Sequence, residues 1–172
     1  MQVRHGATRR YRIAASRVAG AWFEMITVTI YSPTADLSDI WHSLAERATP
    51  NAFMNPAALK AASETGFAKI HVLVAFDEAS QPRRPVGLWA LHERRLLPFL
   101  PAALEGLPYY YAFLSSPVVD PDFAGEAITA FLEKIEKAAS LPKVLRLKQF
   151  WADASLLGAM EGALVSRNDR KL

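Results

Sequence analysis

The tightest constraint on how this 172-residue chain can fold is a strand–helix–strand order late in the sequence. Residues 109–114 are aromatic and strand-like. Residues 123–140 carry Ile128, Phe131, Leu132 and Ile135 along one side of a helix, and residues 143–150 read as another strand after the break at Pro142. A strand that returns to its sheet through a helix crosses over right-handed and lies parallel to its predecessor. The sheet is therefore expected to be mixed, with helices on both faces.

The preceding sequence supplies the rest of that sheet. Residues 22–31 alternate and are rich in Thr, Val and Ile, which predicts a first strand closed by Ser32-Pro33. Asp36 or Ser38 can cap a helix reaching about residue 48, with Leu37, Ile40, Trp41, Leu44 and Ala48 at helical spacing and Pro50 as its stop. Asn55 as cap and Pro56 at the first helical position start a second helix that stops near Gly66. Residues 69–76 and 86–93 read as strands of a hairpin, joined by a polar turn containing Pro82, Arg83 and Arg84. Residues 96–108 are apolar but hold Pro98, Pro101 and Pro108, which predicts a packed loop or a short helical turn. Ser155 caps a last helix. The class is α/β, in the order β-α-α-β-β-β-α-β-α. Residues 1–21 are expected to be a disordered basic arm, 22–166 one lobe and 167–172 a polar tail.

Charge separates the arm from the body. Arg4, Arg9, Arg10, Arg12 and Arg17 stand in the first twenty residues with no acid, which leaves 15 basic against 17 acidic residues elsewhere. Such an arm can bind an anionic partner or simply be solvated; nucleic acid is not the expected partner. It is not a secretory signal, because Ser16 and Arg17 interrupt the apolar residues. No stretch approaches the roughly 20 apolar residues of a membrane span, so a cytoplasmic protein without a membrane partner is expected. The chain has no cysteine, which excludes disulfides and thiolate metal sites.

Residues 114–124, Leu-Ser-Ser-Pro-Val-Val-Asp-Pro-Asp-Phe-Ala, join the aromatic strand to the following helix. Bare N–H groups and the positive end of a helix dipole meet at such a junction, so many α/β folds hold a phosphate there. Glycines let backbone approach the anion, but this junction offers two prolines with Asp120 and Asp122. The helix start is expected to be capped by its own acids and closed to a nucleotide.

Other residues invite a chemical and a structural reading side by side. Asn51 and Phe53 can line a groove, the amide reading an acceptor and the ring packing a sugar or acyl face; equally, they can form a helix–helix connection. Tyr109, Tyr110 and Tyr111 alternate along a strand, so at least one hydroxyl should reach solvent or a cleft and could protonate a leaving thiolate; aromatic strand residues are also simply core. His5, His42, His71 and His92 lack metal-ligand spacing, although His71 and His92 can face each other across the hairpin. Glu93 stands where a general base could sit, or is a solvated charge beside Arg94 and Arg95. No Ser-His-Asp pattern, Gly-x-Ser-x-Gly elbow or Gly-Lys-Ser phosphate loop appears, so no residue is assigned a catalytic role.

The element order, Trp41, the loop Pro50-Asn51-Ala52-Phe53-Met54-Asn55-Pro56, the strand Pro85-Val86-Gly87-Leu88-Trp89-Ala90-Leu91 and the segment Pro117 to Asp120 together resemble a known family. They are similar to the first half of the CelD-like acetyltransferases assigned to bacterial cellulose biosynthesis, a branch of the GNAT superfamily. The likeness covers about residues 25–166 and implies a GNAT-like mixed sheet flanked by helices, lacking the last two strands. It implies transfer of an acyl group from acyl-CoA to an amine or hydroxyl, with acetyl-CoA as the family's cofactor. Relatives carry two such lobes and grip the CoA pyrophosphate with an Arg/Gln-x-x-Gly-x-Gly/Ala turn, whereas residues 117–126 contain only Gly125. The expectation is a first lobe that holds no cofactor alone and needs a second GNAT-like lobe in cis, in trans or by homodimerisation. The alternative is a non-catalytic interaction module that pairs through an open sheet edge.

Overall fold

β-branched residues fill β1 (Ile26–Tyr31), where a pleated, half-buried surface suits them. The computed structural model describes residues 25–48, 51–66, 68–95, 97–107, 115–148, 150 and 154–169. After β1, Asp36 accepts the Ser38 N–H at 3.1 Å and starts α1 (Ser38–Ala45), shorter than the spacing of apolar residues predicts. A 3₁₀ turn (Ala52–Met54) leads to α2 (Pro56–Glu64), capped by Asn55 through the Ala57 N–H at 2.9 Å. The chain leaves that helix at Gly66, whose φ of +66° favours a residue without Cβ.

β2 (Lys69–Asp77) and β3 (Arg84–Arg94) form the expected antiparallel hairpin, with Leu73 opposite Trp89. They are followed by β4 (Ala103–Glu105), β5 (Val118–Val119), α3 (Ala124–Lys137), β6 (Val144–Arg146) and α4 (Ala154–Asp169). Residues 96–108 thus contain a strand rather than only a loop or helical turn. Pro101 precedes β4 and Pro108 follows it, so these prolines bound the ladder instead of interrupting it. The strand expected at 109–114 lies outside the described residues. The last helix continues past residue 166 to Asp169, with the Ser166 hydroxyl donating back to the Ala163 carbonyl at 3.1 Å.

The six strands make one mixed sheet in the order β1-β2-β3-β4-β6, with β5 paired to β3. β4 and β6 run parallel on either side of the connection through α3, while the other pairings are antiparallel. The parallel partner of β6 is thus β4, whereas the strand expected in that place, at 109–114, lies outside the described residues. α3 covers the face of β3 that carries Gly87 and Trp89. The Trp89 and Phe131 rings meet edge-on at 5.8 Å, and a Cβ on Gly87 would lie 3.1 Å from the Phe131 ring. On the other face Val72, Val74, Leu88 and Ala90 are fully buried, and α1 and α2 pack against β3 and β2.

Phe131 is fully buried at the centre of this packing. Phe131→Ala is expected to destabilise the fold by about 3–5 kcal/mol, read from urea unfolding. A cost under about 1 kcal/mol would place the core elsewhere.

Candidate functional site

The junction before α3 is closed by its own side chains. The Asp120 backbone N–H donates to the Val86 carbonyl at 2.9 Å, and its own carbonyl accepts the Phe123 N–H at 2.9 Å. Asp120 Oδ1 accepts the Asp122 N–H at 3.2 Å, so the carboxylate caps the 3₁₀ turn Pro121–Phe123 that leads into α3. Its other oxygen, Oδ2, accepts from Arg47 Nε at 3.0 Å and lies 3.8 Å from the Arg84 guanidinium. Arg47 also donates to the Pro85 carbonyl at 2.7 Å and to Ser43 Oγ at 3.1 Å. Arg84 stacks over the Phe123 ring at 4.8 Å. Asp120 is only 3% exposed. An incoming diphosphate would therefore meet a buried carboxylate already satisfying the cations and the N–H group. Asp122, the second acid of the junction, is exposed.

A second cluster runs across the sheet. His92 on β3 pairs in register with Glu105 on β4, and Glu105 with Arg146 on β6. The Glu105 carboxylate, 6% exposed, forms ion pairs with Arg146 and with Arg94, the latter at 3.5 Å. Burial pushes the His92 imidazole below its ordinary 6.5, against the opposing pull of the Gly106 carbonyl and the Glu105 carboxylate. The arrangement sets the His92 imidazole on the strand neighbouring the Glu105 carboxylate inside the sheet. Sequence reasoning missed Glu105 because it lies in the proline-marked stretch. The available signal was a single acid in an apolar run, which must find cations if it is buried.

His71 does not face His92. The register sets His71 opposite Leu91 and His92 opposite Ile70, so adjacent positions place the two imidazoles on opposite faces of the sheet. His71 instead approaches Glu93, with Nε2 at 3.4 Å, and Lys69 reaches the same carboxylate at 2.7 Å. The Lys69 hydrogen bond, supported by His71, holds the Glu93 carboxyl below its ordinary value despite some burial. Glu93 is thus an ion-paired acid rather than a solvated one.

Asn51 is 5% exposed and occupied at both ends of its amide. Oδ1 accepts the Phe53 N–H at 3.1 Å and Nδ2 donates to the Ser116 carbonyl at 2.9 Å, with Phe53 half-buried beside it. This amide ties the first interhelical loop to the segment before α3. The same segment receives Trp89 Nε1 on the Ser115 carbonyl at 2.8 Å and sends the Ser115 hydroxyl to the Lys148 carbonyl. A Cβ on Gly106 would lie 2.7 Å from Ser115 Cβ, so glycine is required where β4 ends against this segment. Tyr109, Tyr110 and Tyr111 lie outside the described residues.

Among the described residues, no group of three His, Asp or Glu side chains could hold a metal ion, and no helix is long and apolar enough to cross a membrane. Compared with family models, curated proteins and solved structures, the chain matches none.

The lowered His92 value gives a signed pH dependence. The unfolded chain binds a proton near 6.5 while the folded chain resists it, so this contribution is complete above that pH and is lost on acidification below it. His92→Gln should flatten the decline of urea-unfolding stability between pH 7 and 5. An unchanged slope would contradict the assignment.

Proposed function

We propose that this chain is an acyltransferase-type lobe of GNAT-like architecture, the first of two lobes in a CelD-like protein of the cytoplasm. The observation that carries this reading is the parallel β4–β6 pair connected through α3, within a β-α-α-β-β sequence of preceding elements. In an open α/β sheet, ligands approach at the carboxyl ends of strands where the chain switches sides. In support, Ser115 packs against Gly106 just past β4, and the Asp120 carboxylate before α3 is already engaged by Arg47. The division of labour follows. The acyl-CoA belongs to a second lobe, and this lobe shapes the acceptor groove or stiffens its partner.

The reaction would be attack of an amine or hydroxyl on the thioester carbonyl, expelling the CoA thiolate. Catalysis would rest on positioning and on backbone N–H groups that polarise the carbonyl. Asn51 and Phe53 would then serve the groove by fixing its wall. A second reading, an interaction module without chemistry, is favoured by the sheet edge at β6, where Val144 is 45% exposed.

Titration calorimetry of the full chain with acetyl-CoA tests the first reading. No saturable heat is expected for the chain alone. Micromolar binding would overturn the closed-junction account and make this lobe a self-sufficient coenzyme binder.

A further inference from the structure

Between β3 and β4, Leu97, Phe99 and Leu100 all face water, and Phe99, 79% exposed, is the most exposed large apolar side chain among the described residues. Apolar groups of this size standing together mark a contact surface. The Leu100 N–H closes this turn on the Leu97 carbonyl at 3.1 Å. Pro98 and Pro101 have no N–H, so three of the five residues 97–101 bring no free donor into an apolar medium. An unsatisfied donor is the main cost of moving a loop out of water. The charge around this tip is of one sign. No acid stands between residues 94 and 104. At the same end of the sheet, Lys69 pairs with Glu93 and Arg94 with Glu105, and in each pair the cation is the more exposed partner. Arg95 is exposed and enters no ion pair among the described residues.

We infer that the 97–101 turn is a peripheral membrane contact, which sets Phe99 and its neighbouring leucines into the headgroup–acyl boundary of an anionic bilayer. Such a bilayer offers an apolar interior directly beneath a negatively charged layer. The turn matches both in order, an apolar donor-poor tip carried on an exposed cationic stem of Arg94 and Arg95. Attachment of this kind needs no spanning helix, and none is present among the described residues. A second copy of the chain meeting this tip with its own would bring Arg95 against Arg95, which like charge opposes. The inference stands apart from the acyl-transfer reading and survives its failure.

Co-sedimentation of the full chain tests this, with vesicles of about three parts phosphatidylcholine to one of phosphatidylglycerol and with phosphatidylcholine alone. The chain is expected to pellet with the mixed vesicles about tenfold more strongly than with the neutral ones. Phe99→Ser should weaken that binding by about tenfold through lost apolar burial, and Arg95→Glu by about tenfold through charge, each with an unchanged far-UV spectrum. Leu157→Ser and Val165→Ser, at exposed apolar positions of α4, should leave it unchanged. A wild type that stays in the supernatant overturns the inference. Pelleting that survives Phe99→Ser or Arg95→Glu, or that is lost in the α4 variants, also overturns it and moves the contact to another surface, the basic arm included. A chain that ignores vesicles but loses mass in sedimentation equilibrium on Phe99→Ser would make the tip a protein contact instead.

Discussion

The ion pair between Arg47 and the buried Asp120 carboxylate organises the elements around it. Arg47 follows α1, Asp120 precedes α3, and the Pro85 and Val86 carbonyls they also engage belong to the start of β3. Three elements distant in sequence are thereby fixed at one point. Removing Arg47 takes a cation away from a carboxylate whose side chain is only 5% exposed, and a buried charge that loses its partner costs more than the intact pair contributes. The carboxylate also caps the turn into α3. The same interaction that registers α1 and α3 on the sheet therefore also caps the turn into α3.

That closure shapes the functional proposal. An α/β sheet with a parallel crossover has a natural crevice, and in this chain the crevice is occupied by internal groups. Ser115 and Ser116 receive hydrogen bonds from Trp89 and Asn51, and the Ser115 hydroxyl reaches across to the β6 side. Farther along the sheet, His92, Glu105 and Arg146 form a polar row across three neighbouring strands. Under the proposed reading, the first set makes a rigid wall, and the second keeps ionisable groups inside the sheet. Coenzyme chemistry then requires a surface from another lobe.

Much of the framework was legible because it is written in local signals. The Asn55-Pro56 helix start, the 69–76 and 86–93 hairpin and the long amphipathic helix each combine periodicity with a cap or a break, and each stands in the structure. The acid cap before α3 was legible too: Asp120 caps the turn Pro121–Phe123, while the second acid, Asp122, stays exposed. β4 was not, because three residues between prolines carry too little alternation to distinguish a strand from a packed loop. The facing of His71 and His92 failed for a different reason. Register is set by long-range pairing, and a shift of one residue changes the face of every side chain. Glu105 escaped notice since its partners, Arg94 and Arg146, lie 11 and 41 residues away.

The central claim is that Asp120 and Arg47 form a coupled internal pair that locks the start of α3. A double-mutant cycle over Arg47→Ala, Asp120→Ala and the combined variant, followed by urea unfolding, addresses it directly. The account predicts a coupling of about 1.5 kcal/mol or more, with the double variant losing much less than the two single losses combined. Additivity to within about 0.3 kcal/mol would contradict it, and would mean that the carboxylate and guanidinium are neighbours without a shared role.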